Sequence, residues 1–477
     1  MLQQAPANPT LRRLLGAWLQ SCLGTGAGYV ALLLLVVRHL PHSAWAVTAV
    51  LLADFLPAIV LGTLFGALAD RYSRRWLIVA ANVLQAGAFA GLAFATHTGP
   101  ILALAAVAGV GNALQRPAMR SLLPVVAGAR RQQAAAWFDS CRWIGLSAGP
   151  LVAAALFAAS GIAAAFVVNA ASFVLSAVVI ATLKIAEERR DAPAEPTEPA
   201  QPPQLPQTPE PTASGVRAGI AVAVASPGIA AVIACSTAAI VAGGLLNVCE
   251  PLFALRVLHG SGSEYAVLVA AYGAGMVAAS LLVARRGEVG EGETIRRYLL
   301  SLALIALGLA GTAIVDSIAL ALLTFAATGY ANALMVVSET QLIQARVPNA
   351  VQGRLYGMRD AVEGVSFLTG LVGAGALIGA AGVRVTLGAG AALCAACAVA
   401  ALVALGSSVL QGRRGLLAPD LGIAADPATA ASVAPRRFDP DIAEPVRVSR
   451  GTAAPPSPVN PSAAGPRGAR RPPPSTA

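Results

Sequence analysis

The sequence predicts an all-α membrane protein of twelve transmembrane helices in two six-helix, pseudo-symmetric halves, and three observations predict it. The 477-residue chain is 56% hydrophobic and only 12% charged, against about 25% charged residues in a typical soluble chain. The apolar residues fall in runs of about 20, the length a helix needs to cross roughly 30 Å of hydrocarbon. The basic residues gather at alternate ends of those runs, as the two faces of a membrane require.

The first run, 14–37, follows Arg12-Arg13, is too long for a signal-peptide core and lacks an evident cleavage site. Runs 45–69, 76–96, 100–122, 134–158 and 162–184 complete the first six. Between Asp191 and Thr212 stand eight prolines mixed with Glu, Gln and Thr, a composition that buries no core. Six more runs follow at 229–254, 265–284, 298–315, 318–343, 355–378 and 383–406. The expected organisation is therefore a cytoplasmic segment 1–11, a helix bundle 12–187, a Pro-rich linker 188–227, a second bundle 228–408 and a disordered tail 409–477.

Charge placement orients the chain. With the N-terminus in the cytoplasm, 22 Lys and Arg residues, counted up to Arg413 and Arg414, fall on the inner side and only Arg38, Arg256 and Arg384 fall outside. Both termini are then cytoplasmic and the lipid bilayer of the cell (plasma) membrane is the solvent. The net charge of +10 does not point to nucleic acid, because the arginines cap apolar runs and form no basic stripe with interleaved aromatics. The six cysteines lie inside apolar segments and read as small packing residues, with no cofactor or metal implied by Cys394 and Cys397. No P-loop, His-Glu-x-x-His or paired Asp-rich motif suggests an enzyme.

An internal repeat supports the two halves. A shift of 221 carries Asp139 onto Asp360, Gly149 onto Gly370 and Gly161 onto Gly382, and Pro124 pairs with Pro348 once three residues are deleted.

The stretch Gly66-Ala-Leu-Ala-Asp70-Arg71-Tyr-Ser-Arg74-Arg75, between spans two and three, resembles the loop signature of the major facilitator superfamily, Gly-x-Leu-Ala-Asp-Arg-x-Gly-Arg-Arg. Ser73 stands where the family has a second Gly, a residue suited to positive φ. The resemblance implies a secondary transporter working by alternating access. In it, Asp70 would dock on the N-terminus of span eleven near Gln352-Gly353-Arg354, where a helix carries partial positive charge, and clamp the cytoplasmic gate. Arg71, Arg74 and Arg75 would pair with carboxylates or headgroups.

In span five, Gly145-Leu-Ser-Ala-Gly149-Pro150 resembles the helix-packing element of the family's proton-coupled exporters, with Ala153 and Ala154 replacing its last two glycines. Two stretches, Gln344 to Leu355 and Leu258 to Tyr265, look like the enterobactin-exporter and macrolide-efflux branch. This implies a monomeric exporter of small amphipathic molecules in exchange for protons, with an uptake symporter as the alternative.

Charges inside the membrane cost about 2.5–3.5 kcal/mol each at a helix centre and so mark functional candidates. Asp54 reads as a proton- or cation-binding group or as half of a structural pair. Arg142 and Glu363 are related by the shift of 221, and Asp139 is spaced to pair with Arg142 on one helix face. Glu250, Glu339 and Asp360 lie nearer the membrane ends. Asn112, Gln115, Asn247 and Asn332 fall on spans that line the cavity in this family.

Overall fold

The computed structural model of the chain describes residues 8–40, 43–183, 227–287, 289–347 and 349–411; the Pro-rich linker and the expected tail beyond residue 411 lie outside them. Every regular element among the described residues is helical. The first half contains α1 (Pro9–His39), α2 (Ala44–Arg71), α3 (Arg74–Leu92), α4 (Thr98–Ala127), α5 (Arg131–Ser160) and α6 (Ile162–Thr182). The second begins with α7 (Pro227–Leu252), α8 (Gly262–Arg286), α9 (Glu291–Ile314) and α10 (Ile318–Arg346).

The last two crossings form one helical run, Asn349–Gln411, of 63 residues. At about 1.5 Å per residue it would reach about 95 Å if straight, some three hydrocarbon thicknesses. Gly382 breaks it at φ 86 and ψ 173, a conformation that only glycine adopts readily, giving α11 (349–381) and α12 (383–411). Gly161 makes the same break between α5 and α6 at φ 80 and ψ −176. The two glycines matched by the repeat share one conformation.

The helices run further than the apolar runs because polar residues cap them. Asn8 accepts from the Thr10 and Leu11 amides and Pro9 takes the first turn of α1, where its missing N–H costs nothing. The expected N-terminal segment 1–11 is thus part helix from Pro9 onward. Ser43 and Ser317 cap α2 and α10, and Ser261 with Glu264 forms a reciprocal capping box at α8, each supplying an acceptor to otherwise unpaired amides.

Packing repeats between the halves. The pairs α1–α5, α2–α4, α3–α4 and α3–α6 are matched by α7–α11, α8–α10, α9–α10 and α9 with the α11–α12 run. The tightest crossings also correspond. Gly149 of α5 lies on Gly26 of α1, and Gly370 of α11 on Gly244 of α7, each pair letting backbones approach where side chains would not.

The halves meet along α5–α8 and α2–α11. Ser263 Oγ donates to the Ala154 carbonyl at 3.3 Å and Thr48 Oγ1 to the Leu371 carbonyl at 3.1 Å. Phe55 meets Phe367 edge to face at 5.1 Å, and Ile59 packs at Gly364. The two hydrogen bonds lie toward the arginine-poor end, which carries Arg38, Arg256 and Arg384, and the two apolar contacts lie near the middle of α2 and α11.

Candidate functional site

The second half holds a buried ionic group around Arg359. Glu339, on α10, has a side-chain exposure of 0%. It accepts both Arg359 Nε at 2.7 Å and Nη2 at 2.8 Å from α11, the two-pronged geometry that suits a guanidinium and a carboxylate. One turn along α11, Glu363 Oε1 lies 2.6 Å from the same Nη2 without the direction of a hydrogen bond. Asp360 Oδ1 is 3.6 Å from Nη1. One guanidinium therefore serves three carboxylates. Sequence alone offers Glu363 and Asp360 as candidates, while Arg359, at the centre, counts there only among the inner-side charges. Its i, i+4 spacing to Glu363 was the available signal.

The first half presents the opposite balance. Asp54 on α2 faces Arg116 on α4, which also feels Arg120 one turn away and Arg142 on α5. Pro57 leaves the Ala53 carbonyl without its helical partner, and α4 comes close there at Gly109, where a Cβ would stand 2.9 Å from that oxygen. The expected Asp139–Arg142 ion pair does not form. Arg142 instead lies over the Trp143 ring, 5.0 Å from its centre, and Asp139 is exposed. A surface pair three residues apart offers only about 0.2–0.5 kcal/mol, no more than a guanidinium gains on an indole face.

The loop 66–75 turns from α2 into α3 at the arginine-rich end. Ser73 adopts φ −59 and ψ 116, open to any residue, so this turn does not need the glycine that Ser73 replaces. Arg74 Nη1 donates to the Ser121 carbonyl of α4 at 3.1 Å, and Arg75 donates to the Ala181 carbonyl at the end of α6. The carboxylate or headgroup expected for Arg74 is thus a backbone carbonyl. The Ala181 carbonyl is in the last turn of α6, where carbonyls lack helical partners and favour cations. Gly66 faces open space, and Asp70 and Arg71 are exposed. Gln352 Nε2 donates to the Val347 carbonyl at 2.7 Å, and Arg354 is exposed.

Gly145 and Gly149 receive α1 closely: a Cβ would fall 2.4 Å from Cys22 Cβ at the first and 2.6 Å from the Leu23 carbonyl at the second. Pro150 is buried within α5. The stretch also spells Gly-x-Ser-x-Gly, the pattern of a hydrolase nucleophile. It lies within a continuous helix, with Ser147 packed at Gly273 of α8, so the strand–turn–helix context for such a nucleophile is absent. On α7, Glu250 is buried and bonds to no described residue.

A sequence model of the family described as Transmembrane secretion effector matches residues 4–413. The chain belongs to this family of the major facilitator superfamily. This major facilitator protein is 26% identical over 431 residues to YfiS, an uncharacterised MFS-type transporter of Bacillus subtilis, covering 85% of this chain and 95% of that one. A stretch of 116 residues is 35% identical to an uncharacterised MFS-type transporter of Mycobacterium tuberculosis, 24% of this chain and 28% of the other. Among solved structures, it resembles a bacterial homologue of the human lysosomal transporter Spinster in an inward-facing, unoccupied conformation, with a TM-score of 0.61 at 15% identity over 85% of this chain and 99% of that one. The nucleoside transporter NupG gives a TM-score of 0.61 at 15% identity over 83% and 99%. At such identities the likeness establishes the fold. The major facilitator protein is a multi-pass membrane transporter.

Proposed function

We propose that the protein exports small amphipathic molecules, such as drugs, antibiotics or siderophores, across the plasma membrane by alternating access in exchange for protons. The observation that carries this reading is the Arg359 group. Asp360 is solvated at 68% exposure, so the two more buried carboxylates, Glu339 and Glu363, share one guanidinium, and one proton balances them. Glu339 is fixed by two hydrogen bonds and fully buried, whereas Glu363 retains 18% side-chain exposure, which makes Glu363 the carboxylate that loads and releases the proton. Asp54 opposite Arg116 is the matching acid of the first half.

Charge asymmetry supports an arginine-rich end, with both termini, on the cytoplasmic side. The hydrogen bonds Ser263–Ala154 and Thr48–Leu371 that join the halves then lie toward the outside, which supports a carrier whose inner side parts to load from the cytoplasm. When the inner side closes, Asp70 docks at the start of α11, beside Gln352-Gly353-Arg354. A carboxylate at a helix N-terminus is worth up to about 2 kcal/mol in a partly buried setting, so Asp70→Asn is expected to lower transport by roughly tenfold or more while insertion and abundance stay normal. Wild-type transport in that variant, measured in vesicles, would remove the gate from the proposal.

Everted vesicles loaded against a panel of dyes and antibiotics test the whole reading. Accumulation that collapses with a protonophore is expected, and Glu363→Gln is expected to keep downhill movement while losing accumulation against a gradient. Accumulation that ignores the protonophore would sink proton coupling. Movement only in the opposite sense would make the protein an uptake symporter.

A further inference from the structure

The carboxylate of Glu250 has no role in the fold's own bonding. It is 6% exposed on α7, one residue before Pro251, and receives no hydrogen bond or salt bridge from any described residue. No arginine, lysine or histidine among the described residues acts on it. Asp54, a half-buried acid of the first half, at least has Arg116. An anion taken from water without a partner is costly, and inside a membrane such groups persist where a ligand completes them.

The surroundings are phenols. Asn247 and Glu250 are three residues apart and share a face of α7. Asn247 Oδ1 accepts from the Tyr29 hydroxyl of α1 at 2.7 Å, a hydrogen bond that joins the two halves. Glu250 therefore looks into the seam between them, and its charge reaches Tyr29, Tyr265 and Tyr272. Tyr265 and Tyr272 are seven apart on one face of α8. Tyr265 is 0% exposed with no partner for its hydroxyl, and Tyr272 accepts from Asn332 Nδ2 at 2.8 Å, leaving its own proton to give.

We propose that Glu250, walled by Tyr29, Tyr265 and Tyr272, binds the cationic head of a lipophilic organic monocation, so that such cations are the exported class. Aromatic rings attract a cation through their faces, which the half-buried Tyr29 and Tyr272 can offer; the fully buried Tyr265 contributes its unpartnered hydroxyl, and Glu250 supplies the single compensating charge. One carboxylate with neutral phenols is too poor in hard oxygen ligands for calcium or magnesium. The site also explains a link to movement: the ligand sits beside the Tyr29–Asn247 hydrogen bond, which the outer side must break to open. The inference rests on the export reading for direction only.

Equilibrium binding of radiolabelled tetraphenylphosphonium to the full chain in lipid nanodiscs, with no gradient, tests it. The wild type is expected to bind, Glu250→Gln to bind at least tenfold more weakly, Glu250→Asp to recover part of the loss, and Tyr265→Phe to weaken binding several-fold. Because Glu250 makes no bond in the fold, Glu250→Gln is expected to melt no lower than wild type, and only wild type should gain melting temperature from the probe. Wild type that fails to bind tetraphenylphosphonium, binding by Glu250→Gln within twofold of wild type, or equal binding of the anion tetraphenylborate would each overturn the assignment. Binding without protonophore-sensitive accumulation in vesicles would defeat proton-driven export and leave this site standing. Protonophore-sensitive export of anionic or neutral dyes with no tetraphenylphosphonium binding would do the reverse.

Discussion

Arg359→Met is expected to destabilise the second half severely, lowering its melting temperature by about 10 °C or leaving no monodisperse protein. The substitution strands Glu339, whose side chain is 0% exposed and whose two hydrogen bonds both come from Arg359. Removing one partner of a buried ion pair costs about 3–5 kcal/mol, and each kcal/mol moves the midpoint of a 150–250-residue domain by roughly 2–4 °C. The double variant Arg359→Met/Glu339→Leu is expected to regain most of that loss, because apolar side chains of similar volume replace a buried pair at little cost. It should not regain gradient-driven transport, since Glu363 then faces no guanidinium. Thermal unfolding of purified protein followed by size-exclusion chromatography reads both steps. A single variant melting within about 2 °C of wild type would mean that Glu339 does not depend on Arg359.

The second large effect belongs to the glycine crossings. At Gly370 a Cβ would stand 2.2 Å from the Val241 carbonyl and 2.9 Å from Gly244 Cα; at Gly149 it would stand 2.6 Å from the Leu23 carbonyl and 2.7 Å from Gly26 Cα. These neighbours are backbone, so no side chain can swing aside and the helices themselves must part. Overpacking of this kind costs about 1–3 kcal/mol for small additions. Gly149→Leu and Gly370→Leu are expected to abolish stable folding, and Gly244→Ala to lower the melting temperature measurably. Gly243 offers an adjacent control: a Cβ there meets nothing within 4 Å, and Gly243→Ala should leave the melting temperature unchanged or raise it slightly. Equal effects at 243 and 244 would mean that the α7–α11 crossing is looser than described.

Within single helices the sequence was informative. Apolar run lengths located the crossings, and the shift of 221 found Gly161 and Gly382, whose backbone angles agree. Spacing along one helix also offered Arg359 with Glu363. What spacing cannot supply is the partner on another helix. Glu339 and Arg359 are twenty residues apart on different helices, and their pairing depends on how α10 packs beside α11. The same blindness hid the Ser121 carbonyl as the partner of Arg74 and the phenols around Glu250. Asp139 and Arg142 show the converse error: correct spacing, but a neighbouring Trp143 ring took the guanidinium. Ser73 raised a doubt that the backbone dissolves, since its φ of −59 asks nothing of glycine.

The one-residue turns at Gly161 and Gly382 have a mechanical consequence. A long loop would let two helices slide past each other, absorbing motion before it spreads. With a single residue between α5 and α6, and again between α11 and α12, there is no slack to absorb it. A tilt of α11 at its arginine-rich end is handed directly to α12, and a tilt of α5 to α6. Each hairpin then moves as one stiff piece about its glycine tip, so small displacements near Arg142 or Glu363 would become swings of whole walls.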